Sequence, residues 1–330
     1  MKILAFGEVM MRLTPPDYKQ IEQTNTLDMS FNGTGVNILS GLSRFGYDTT
    51  LLTTLPDNHV GKAAAGFIRR LGIDDSKINF SGQHIGIYFL ELGYGNRPSQ
   101  VTYLERLKSS FGISSLQDYN INSLIDDVDI IHICGISLSL GEGPRETAIQ
   151  IAKMAYEKGK IVCFDFNFRP SLNEDHSYEW MRTQYERILP YCTVVFGGKR
   201  DLIGLLDAQE KTLEQLSQEF TNKYQHIKYF AGSNRTTKED KEYLSGFLYT
   251  NKTLYKSPEY LLTLYDRIGT GDAFAAGIIT GIIEKWSVDK IIKFATSNSV
   301  LAHTTFGDSP VVDKEIVEQF MNNELDNVIR

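Results

Sequence analysis

One short stretch in the C-terminal third of the chain combines residues that could do chemistry, Asp266-Arg-Ile-Gly-Thr-Gly-Asp-Ala-Phe274. Gly269 and Gly271 permit a tight turn, and Asp272 opens a run of small and apolar residues that is typical of a buried helix. A turn at a helix N-terminus presents unpaired N–H groups and the positive end of the helix dipole, so it can bind an anion. A carboxylate would repel that anion. Asp272 therefore suits a general base that takes a proton from a hydroxyl while the turn holds a phosphoryl group.

The same stretch has a purely structural explanation. Asp is a favoured N-cap residue, so Gly-Thr-Gly-Asp could be a turn that Asp272 caps. The motif on its own leaves both explanations open. The rest of the chain has to decide between these two explanations.

Composition and charge exclude several classes of protein. The 330 residues are 42% hydrophobic and 23% charged, which is ordinary for a soluble globular protein. The net charge of −7 argues against binding to nucleic acid or to an acidic membrane surface, because both are negatively charged as well. The chain has no apolar run of about 18 residues, and Met1–Val9 does not resemble a signal peptide. Cys134, Cys163 and Cys192 are far apart, which indicates buried packing rather than disulfides or a metal site. We expect a cytoplasmic protein.

Short apolar segments alternate with helical ones along most of the chain. The pattern predicts a doubly wound, mostly parallel sheet within a single α/β domain over residues 1–330. Ligands bind at the carboxyl ends of the strands in such sheets. The residues that follow the predicted strands should therefore share one edge: 32–37, 165–169, 197–201, 232–234 and 269–272.

Two regions depart from this alternation and predict a small β lid. Residues 84–92 and 100–106 read as a hairpin, whereas residues 10–31 contain Pro15-Pro16 and read as irregular. A hairpin is not stable alone, so we expect a lid formed by about 10–31 and 80–107. A polar loop is predicted after the strand at 227–231.

The predicted edge is suited to anions, although the chain has no P-loop signature and no G-x-G-x-x-G after its first strand. Asp165, Asn167 and Arg169 would share one face of an extended segment, where they could orient a phosphate and its Mg²⁺ shell. A turn with an Asn cap is the alternative. Arg106 ends a lid strand, so it could bind a carboxylate or be a solvated edge charge.

Three motifs together resemble the ribokinase or PfkB family of sugar kinases. They are Asn32-Gly-Thr-Gly-Val-Asn37, Asp165-Phe-Asn-Phe-Arg169 and the late D-x-x-G-[AT]-G-D-A-F motif, and they span nearly the whole chain. Within the family, the chain most resembles the 2-keto-3-deoxygluconate kinases. The opening Phe6-Gly-Glu-Val-Met10 and the segment Ala302-His-Thr-Thr-Phe-Gly-Asp308 carry this narrower resemblance.

The resemblance implies ATP and Mg²⁺ as cofactors, a sugar acid as substrate, and a dimer contact through the lid. It implies that Asp272 is the base and that Gly269, Thr270 and Gly271 form the anion hole. The implied sugar-binding residues are Gly33, Asn37, Tyr88, Tyr103, Arg106, Arg169 and Asp308. The implied nucleotide-binding residues are Asn167, Gly232, Ser233 and Gly271, and Asp201 is the implied metal-shell residue.

The chain also departs from the family pattern. Asn32 replaces the first glycine of an early Gly-Gly pair, and Gly198-Lys-Arg-Asp201 replaces Asn-x-x-Glu, which weakens the metal-shell assignment.

The leading hypothesis is an ATP-dependent kinase that converts 2-keto-3-deoxygluconate to its 6-phosphate. A kinase for a neutral sugar such as fructose or ribose is the alternative within the family. A catalytically inactive homologue that binds a sugar is the alternative from another class. Arg106 and Arg169 favour an acidic substrate, and Asp272 favours catalysis.

Overall fold

The central strands of the main sheet are short and mostly apolar, as expected for strands covered on both faces. The computed structural model describes residues 1–209 and 211–324. The strands are β1 Lys2–Phe6, β2 Met10–Thr14, β3 Asp28–Asn32, β4 Asp48–Leu55, β5 Ile78–Phe80, β6 Gly86–Glu91, β7 Gln100–Leu104, β8 Ile130–Cys134, β9 Ile161–Asp165, β10 Val194–Phe196, β11 Tyr229–Lys238, β12 Lys241–Thr250, β13 Thr253–Lys256 and β14 Tyr260–Leu261. The helices are α1 Thr34–Arg44, α2 His59–Arg70, α3 Ile121–Asp126, α4 Ile136–Ser139, α5 Glu142–Glu157, α6 Tyr178–Ile188, α7 Lys199–Leu206, α8 Leu213–Lys223, α9 Thr270–Ile283, α10 Val288–Ala302 and α11 Lys314–Met321.

The main sheet has the strand order β13-β12-β11-β10-β9-β8-β1-β4-β5, with β14 paired to β12. The pairs from β11 across to β5 are all parallel, and the pairs that involve β12 are antiparallel. The predicted doubly wound, mostly parallel sheet is confirmed.

Alternate side chains of each strand supply two cores, one on each face of the main sheet. Ile3 and Ala5 of β1 pack in the core that contains α1, α2, α9 and α10. Leu4 and Phe6 pack in the core that contains α3, α5, α6 and α8. The carboxyl end of the sheet is left open for a site between the two layers.

A second sheet, ordered β3-β2-β6-β7, lies apart from the main one and forms the predicted lid. The hairpin of β6 and β7 is confirmed, with Tyr88 opposite Tyr103. The prediction that residues 10–31 are irregular was wrong, because Met10–Thr14 and Asp28–Asn32 are strands of this sheet. The prolines that suggested irregular structure lie in the connection between these two strands.

The polar loop predicted after residue 231 was also wrong. Strand β11 runs on to Lys238 and pairs with β12 in a hairpin. Its turn, Glu239-Asp240, has positive φ angles of 48° and 58°. Such a turn usually contains Asn or Gly, so this charged pair gave no hairpin signal.

Among the described residues, no helix is both long enough and apolar enough to span a bilayer. The three cysteines are free and buried, as predicted.

Candidate active site

The segments that follow the strands converge on a cavity of about 1100 Å³ at the carboxyl edge of the main sheet. The lid strand β6 and the segment after β7 close one side of it. Of the residues predicted for the site, those that line the cavity are Gly33, Asn37, Tyr88, Tyr103, Arg106, Asn167, Arg169, Asp201, Gly232, Ser233, Gly269, Gly271, Asp272 and Asp308. Thr270 is buried beside them.

The glycine turn has the geometry of an anion site. Gly269 is left-handed, with φ 76°, and a Cβ atom on it would lie 1.8 Å from the carbonyl oxygen of Asp308. A Cβ atom on Gly271 would meet no other atom within 4 Å, so the backbone there faces open space in the cavity. Thr270 Oγ1 donates to the carbonyl of Arg267 at 3.1 Å. The N-terminus of α9 therefore presents its free N–H groups toward the cavity.

Asp272 lies in the first turn of α9 and is 8% exposed. Its Oδ2 accepts a hydrogen bond from Asn37 Nδ2 at 2.7 Å. Burial raises the pKa of Asp272 well above its ordinary value, with a further increase from Asp165 and Asp308, while the Asn37 bond acts in the opposite direction. A carboxylate with a raised pKa is a stronger base toward a hydroxyl proton.

The structure removes the alternative in which Asp272 is the helix cap. The N-cap of α9 is Gly269, and it makes no side-chain capping bond. Asp272 is three residues further on, inside the helix, and its side chain is bonded to α1 rather than to its own helix N-terminus. The cap remained an alternative in the sequence analysis because Asp is commoner than Gly at an N-cap.

A network around Asp308 was not predicted as such. Asp308 accepts hydrogen bonds from Tyr88 Oη and from Arg12 Nη1. Arg12 also donates through Nη2 to Asp266 Oδ2 at 2.8 Å. Arg12 was missed because it lies in the segment interpreted as irregular. The alternation of apolar residues at 11 and 13 with Arg12 and Thr14 was a weak strand signal.

The structure excludes one of the two explanations offered for Arg106, namely that it is a solvated charge at the edge of the lid. Arg106 is 6% exposed and donates through Nε and Nη2 to Glu8 Oε2, at 3.1 and 2.6 Å. Its guanidinium lies over the Tyr103 ring, with the central carbon 4.7 Å from the ring centroid. Sequence reasoning did not find Glu8, which is 98 positions away from Arg106.

The loop after β9 combines a turn with cavity-lining side chains. Asn167 has a φ of 40°, and Asp165 Oδ1 accepts from its backbone N–H at 3.2 Å. The predicted extended segment was therefore wrong here, because the Asp side chain stabilises a turn instead. Asp165, Asn167 and Arg169 nevertheless all line the cavity, and Arg169 is exposed there.

The same cavity contains the residues expected to bind nucleotide. Gly232 lies in close contact with the β10 loop, since a Cβ atom on it would lie 2.1 Å from the carbonyl oxygen of Gly197. Asp201 Oδ2 accepts from the Gly198 N–H at 2.7 Å and so stabilises the start of α7. Burial and then Asp201 raise the pKa of Asp165 to about 7. Among the described residues, no three His, Cys, Asp or Glu side chains are grouped as metal ligands.

Comparison with known proteins agrees with this geometry. Residues 1–314 match the pfkB family carbohydrate kinase model. The chain is 47% identical to a "putative 2-Keto-3-deoxygluconate Kinase" from Enterococcus faecalis, over 100% of this chain and 99% of that one, with a TM-score of 0.96. It is 32% identical to 2-dehydro-3-deoxygluconokinase from Thermotoga maritima, over 98% of each chain, with a TM-score of 0.92.

Two further comparisons concern the substrate and the nucleotide. A 2-dehydro-3-deoxygalactonokinase from Haloferax volcanii is 27% identical over 323 residues, which cover 97% of this chain and 96% of that protein. A "putative Ribokinase II" from E. coli, solved in complex with ATP and Mg²⁺, shares the fold at 16% identity over 98% of this chain and 99% of that one, with a TM-score of 0.83.

A glycine turn at a buried helix, a cavity at the carboxyl edge of a doubly wound sheet and a β lid define a ribokinase-like kinase. The chain belongs to the pfkB family of carbohydrate kinases.

Proposed function

We propose that this protein phosphorylates 2-keto-3-deoxygluconate to its 6-phosphate, with ATP as the phosphoryl donor. The observation that carries the proposal is the buried Asp272 carboxylate beside the open backbone of Gly271. Phosphoryl transfer requires a base at the hydroxyl and charge stabilisation at the moving group, in one place and away from water. This corner of the cavity supplies both.

In the reaction, Asp272 accepts the proton of the substrate hydroxyl as its oxygen attacks the γ-phosphorus. The bond from phosphorus to the bridging oxygen of ADP breaks, so the products are the sugar phosphate, ADP and one proton on Asp272. Asn37 keeps the carboxylate in place through its 2.7 Å bond. The N–H groups of the turn at Gly269, Thr270 and Gly271 stabilise the charge on the transferring phosphoryl oxygens.

The substrate is proposed to be a sugar acid because of the cations in the cavity. Glu8 already neutralises Arg106. Arg169 is exposed in the cavity, donates through Nη1 to the Phe168 carbonyl at 3.3 Å, and has further N–H groups with which it would pair with a carboxylate. Arg169 therefore recognises the acid group. Gly33, Tyr88 and Tyr103 line the same region and would contact the sugar, and Asp308 has lone pairs left for a hydroxyl beside its bonds to the lid.

The remaining end of the cavity would bind the nucleotide and its metal ion. Gly232, Ser233 and Asn167 line the cavity and would hold the phosphates. Mg²⁺ needs few protein ligands, since it commonly keeps its waters and binds one or two carboxylates together with substrate phosphates. Asp201 and Asp165 both line the cavity and would hold the ion, which would neutralise charge on the phosphates when bound.

A coupled assay of ADP release tests the proposal with a panel of 2-keto-3-deoxygluconate, its galactonate epimer, 5-keto-2-deoxygluconate, fructose and ribose. We expect the first to give the highest kcat/KM. A neutral sugar at the top of the ranking would replace the substrate assignment, and no turnover of any sugar would favour an inactive sugar-binding protein.

The Asp272→Asn variant tests the base. Its kcat should fall by about 10²- to 10⁴-fold, the usual contribution of a general base, while calorimetry shows that the sugar acid still binds. Asp57→Asn, at an exposed position that does not line the cavity, is the control and should keep its full activity. Unchanged turnover in Asp272→Asn would exclude the mechanism.

We also propose a cytoplasmic protein that forms a homo-oligomer through its lid. Met29 of β3 and Val101 and Leu104 of β7 are exposed apolar side chains on lid strands, and such positions favour contact with a second copy. Light scattering should give a dimer mass that Leu104→Lys reduces. A monomeric wild-type protein would contradict this part.

A further inference from the structure

Arg12 is the most completely buried charged side chain in the lid, and the proposed reaction gives it no role. It lies on β2 but is only 1% exposed. Its three nitrogens each have a partner: Nε donates to Thr14 Oγ1 at 2.8 Å, Nη2 donates to Asp266 Oδ2 at 2.8 Å, and Nη1 donates to Asp308 Oδ1. The ring of Phe306 covers the guanidinium, 5.1 Å from its central carbon to the ring centroid. Two of these partners and the ring lie outside the lid.

Both carboxylates that Arg12 holds belong to segments that shape the glycine turn. Asp266 precedes the turn, and its Oδ1 accepts from the Ile268 N–H at 3.0 Å. Its Oδ2 also accepts from the Gly307 N–H at 3.3 Å. The backbone of Asp308 packs directly on Gly269, since a Cβ atom there would lie 1.8 Å from the Asp308 carbonyl oxygen. The Arg12 contacts therefore fix both sides of Gly269.

The same segment reaches the proposed base through one further pair of bonds. Ser309 follows Asp308 and donates through Oγ to Asn37 Oδ1 at 3.2 Å. Asn37 Nδ2 donates in turn to Asp272 Oδ2 at 2.7 Å. A continuous set of contacts connects lid strand β2 with the side chain of Asp272.

We propose that Arg12 is a positioning residue that couples the seating of the lid to the conformation of the 266–272 turn. If β2 moved away from the main body, two buried carboxylates would be left facing each other without a cation, which is unfavourable in a buried site. Lid seating and turn geometry are therefore stable together and lost together. Arg12 contacts no reacting atom. The effect of Arg12 on catalysis rests on the proposed function, but the coupling between the lid and the 266–272 turn does not.

Hydrogen exchange on the ligand-free protein tests the coupling without any substrate. In Arg12→Met, we expect peptides that cover 266–274 and β2 to exchange faster by about tenfold, because local opening becomes easier. Peptides of the central strand β8 should be unchanged. Arg97→Met is the matched control: Arg97 is a lid arginine whose guanidinium donates to the backbone carbonyl of Tyr18 within the lid. Its loss should speed exchange in lid peptides and should change exchange over 266–274 much less than Arg12→Met does.

Unchanged exchange over 266–274 in a folded Arg12→Met protein would overturn the proposal, as would an equal increase in every peptide. If Arg12→Met does not fold, Arg12→Lys decides by the same readout. Its single ammonium keeps the charge but cannot bridge both carboxylates as the guanidinium does, so the turn should still exchange faster than in wild type.

Kinetics supply the second readout. For whichever sugar the wild type phosphorylates best, kcat of Arg12→Lys should fall by about 10- to 100-fold, as expected when reacting groups are slightly misplaced. KM for ATP should stay the same, since Arg12 lies on the lid side. An unchanged kcat would count against the proposal. A wild type inactive on every sugar acid would refute the proposed function, while the exchange result would still decide the coupling.

Discussion

At the scale of single residues, the candidate site depends on two glycines with different physical requirements. Gly269 needs its left-handed φ of 76° and a close approach to the Asp308 backbone. Gly271 needs neither, and its α-carbon faces the open cavity. The first glycine shapes the turn, and we propose that the second leaves room for a phosphoryl group.

This difference predicts opposite outcomes for two alanine variants. Gly271→Ala should keep the stability of wild type or gain up to about 1 kcal/mol, because Ala favours a helix, while kcat falls by about tenfold or more through loss of space at the anion site. Gly269→Ala should lose stability by about 1–3 kcal/mol or more. Urea denaturation and steady-state kinetics on both variants measure this. A Gly271→Ala protein that is fully active would show that the transferring group binds elsewhere.

Arg169 gives the sharper test of substrate charge because Arg106 also holds Glu8. Removing Arg106 would leave a buried glutamate unpaired and confuse binding with stability. Arg169→Gln should raise KM for the sugar acid by about 10- to 100-fold, the value of a hydrogen bond to a charged group. KM for ATP should change far less.

Arg70→Gln, on the exposed side of α2 and away from the cavity, is the control for the Arg169 variant and should leave both Michaelis constants unchanged. If Arg169→Gln raised KM for ATP as much as for the sugar acid, Arg169 would belong to the nucleotide site instead.

At the scale of elements, β2 and the hairpin of β11 and β12 extend the site beyond the parallel sheet. Strand β2 pairs in parallel with β6, which places Arg12 beside Tyr88. The hairpin brings Arg235 to the start of α9, where its Nη2 donates to Thr270 Oγ1 at 3.2 Å. Neither element belongs to the alternating strand–helix pattern, so the secondary structure of both was predicted less well than that of the parallel strands.

The hairpin turn offers a test of whether its geometry limits stability. Glu239 and Asp240 both have positive φ, so Glu239→Asn with Asp240→Gly should raise the free energy of unfolding by about 0.5–1 kcal/mol. Turnover should not change. Lys241→Gly, at the first residue of β12, is the control and should lower stability, because Gly loses more backbone freedom on folding than Lys does. A stabilising Lys241→Gly, or a destabilising double variant, would contradict the turn geometry.

At the scale of the whole molecule, we propose that residues 1–330 form a single domain that includes the lid. Residues 210 and 325–330 lie outside the described part of the chain. Arg12 joins the lid to the main body through buried ion pairs. Ile268 of the glycine turn packs against the lid residues Met10, Tyr88, Leu90 and Leu92, so this small core is shared between the lid and the main body. Calorimetry should therefore give one unfolding transition, and a separate early transition for the lid would contradict the single-domain proposal.

Stability should also depend on pH through the buried Asp272. Its folded-state pKa is raised, so the unfolded chain releases this proton at a lower pH than the folded protein does. The contribution of Asp272 to stability is complete below its unfolded pKa, about 3.9, and is lost as pH rises through the raised folded value. Asp272→Asn stays neutral and avoids that loss.

We therefore expect Asp272→Asn to gain stability relative to wild type between pH 4 and pH 8, measured by urea denaturation at both pH values. The exposed Asp57→Asn should differ from wild type by the same small amount at both. A difference for Asp272→Asn that shrinks as the pH rises would contradict the raised pKa.

Most of the fold was predictable because local chemistry decides it. Apolar segments such as Ile130–Cys134 identify buried strands from their own residues, and the D-x-x-G-T-G-D-A-F motif identifies the turn and helix of the site from nine consecutive positions. Charged and proline-containing segments gave the wrong results at 10–31 and 232–241. Pairing with another strand, and not local preference, makes them strands.

The sequence by itself determined the family and the glycine turn, and it predicts Asp272 as the base, because each of these rests on short motifs whose residues are neighbours in the chain. Only the tertiary structure decided which charged side chains already have an ion-pair partner inside the protein. Arg106 pairs with Glu8 at a separation of 98 positions, and Arg12 pairs with Asp266 and Asp308 at separations of 254 and 296. Partners so distant meet only when strand order and the position of the lid are set. No local sequence pattern can therefore tell an arginine that forms a buried ion pair from an arginine that lacks one.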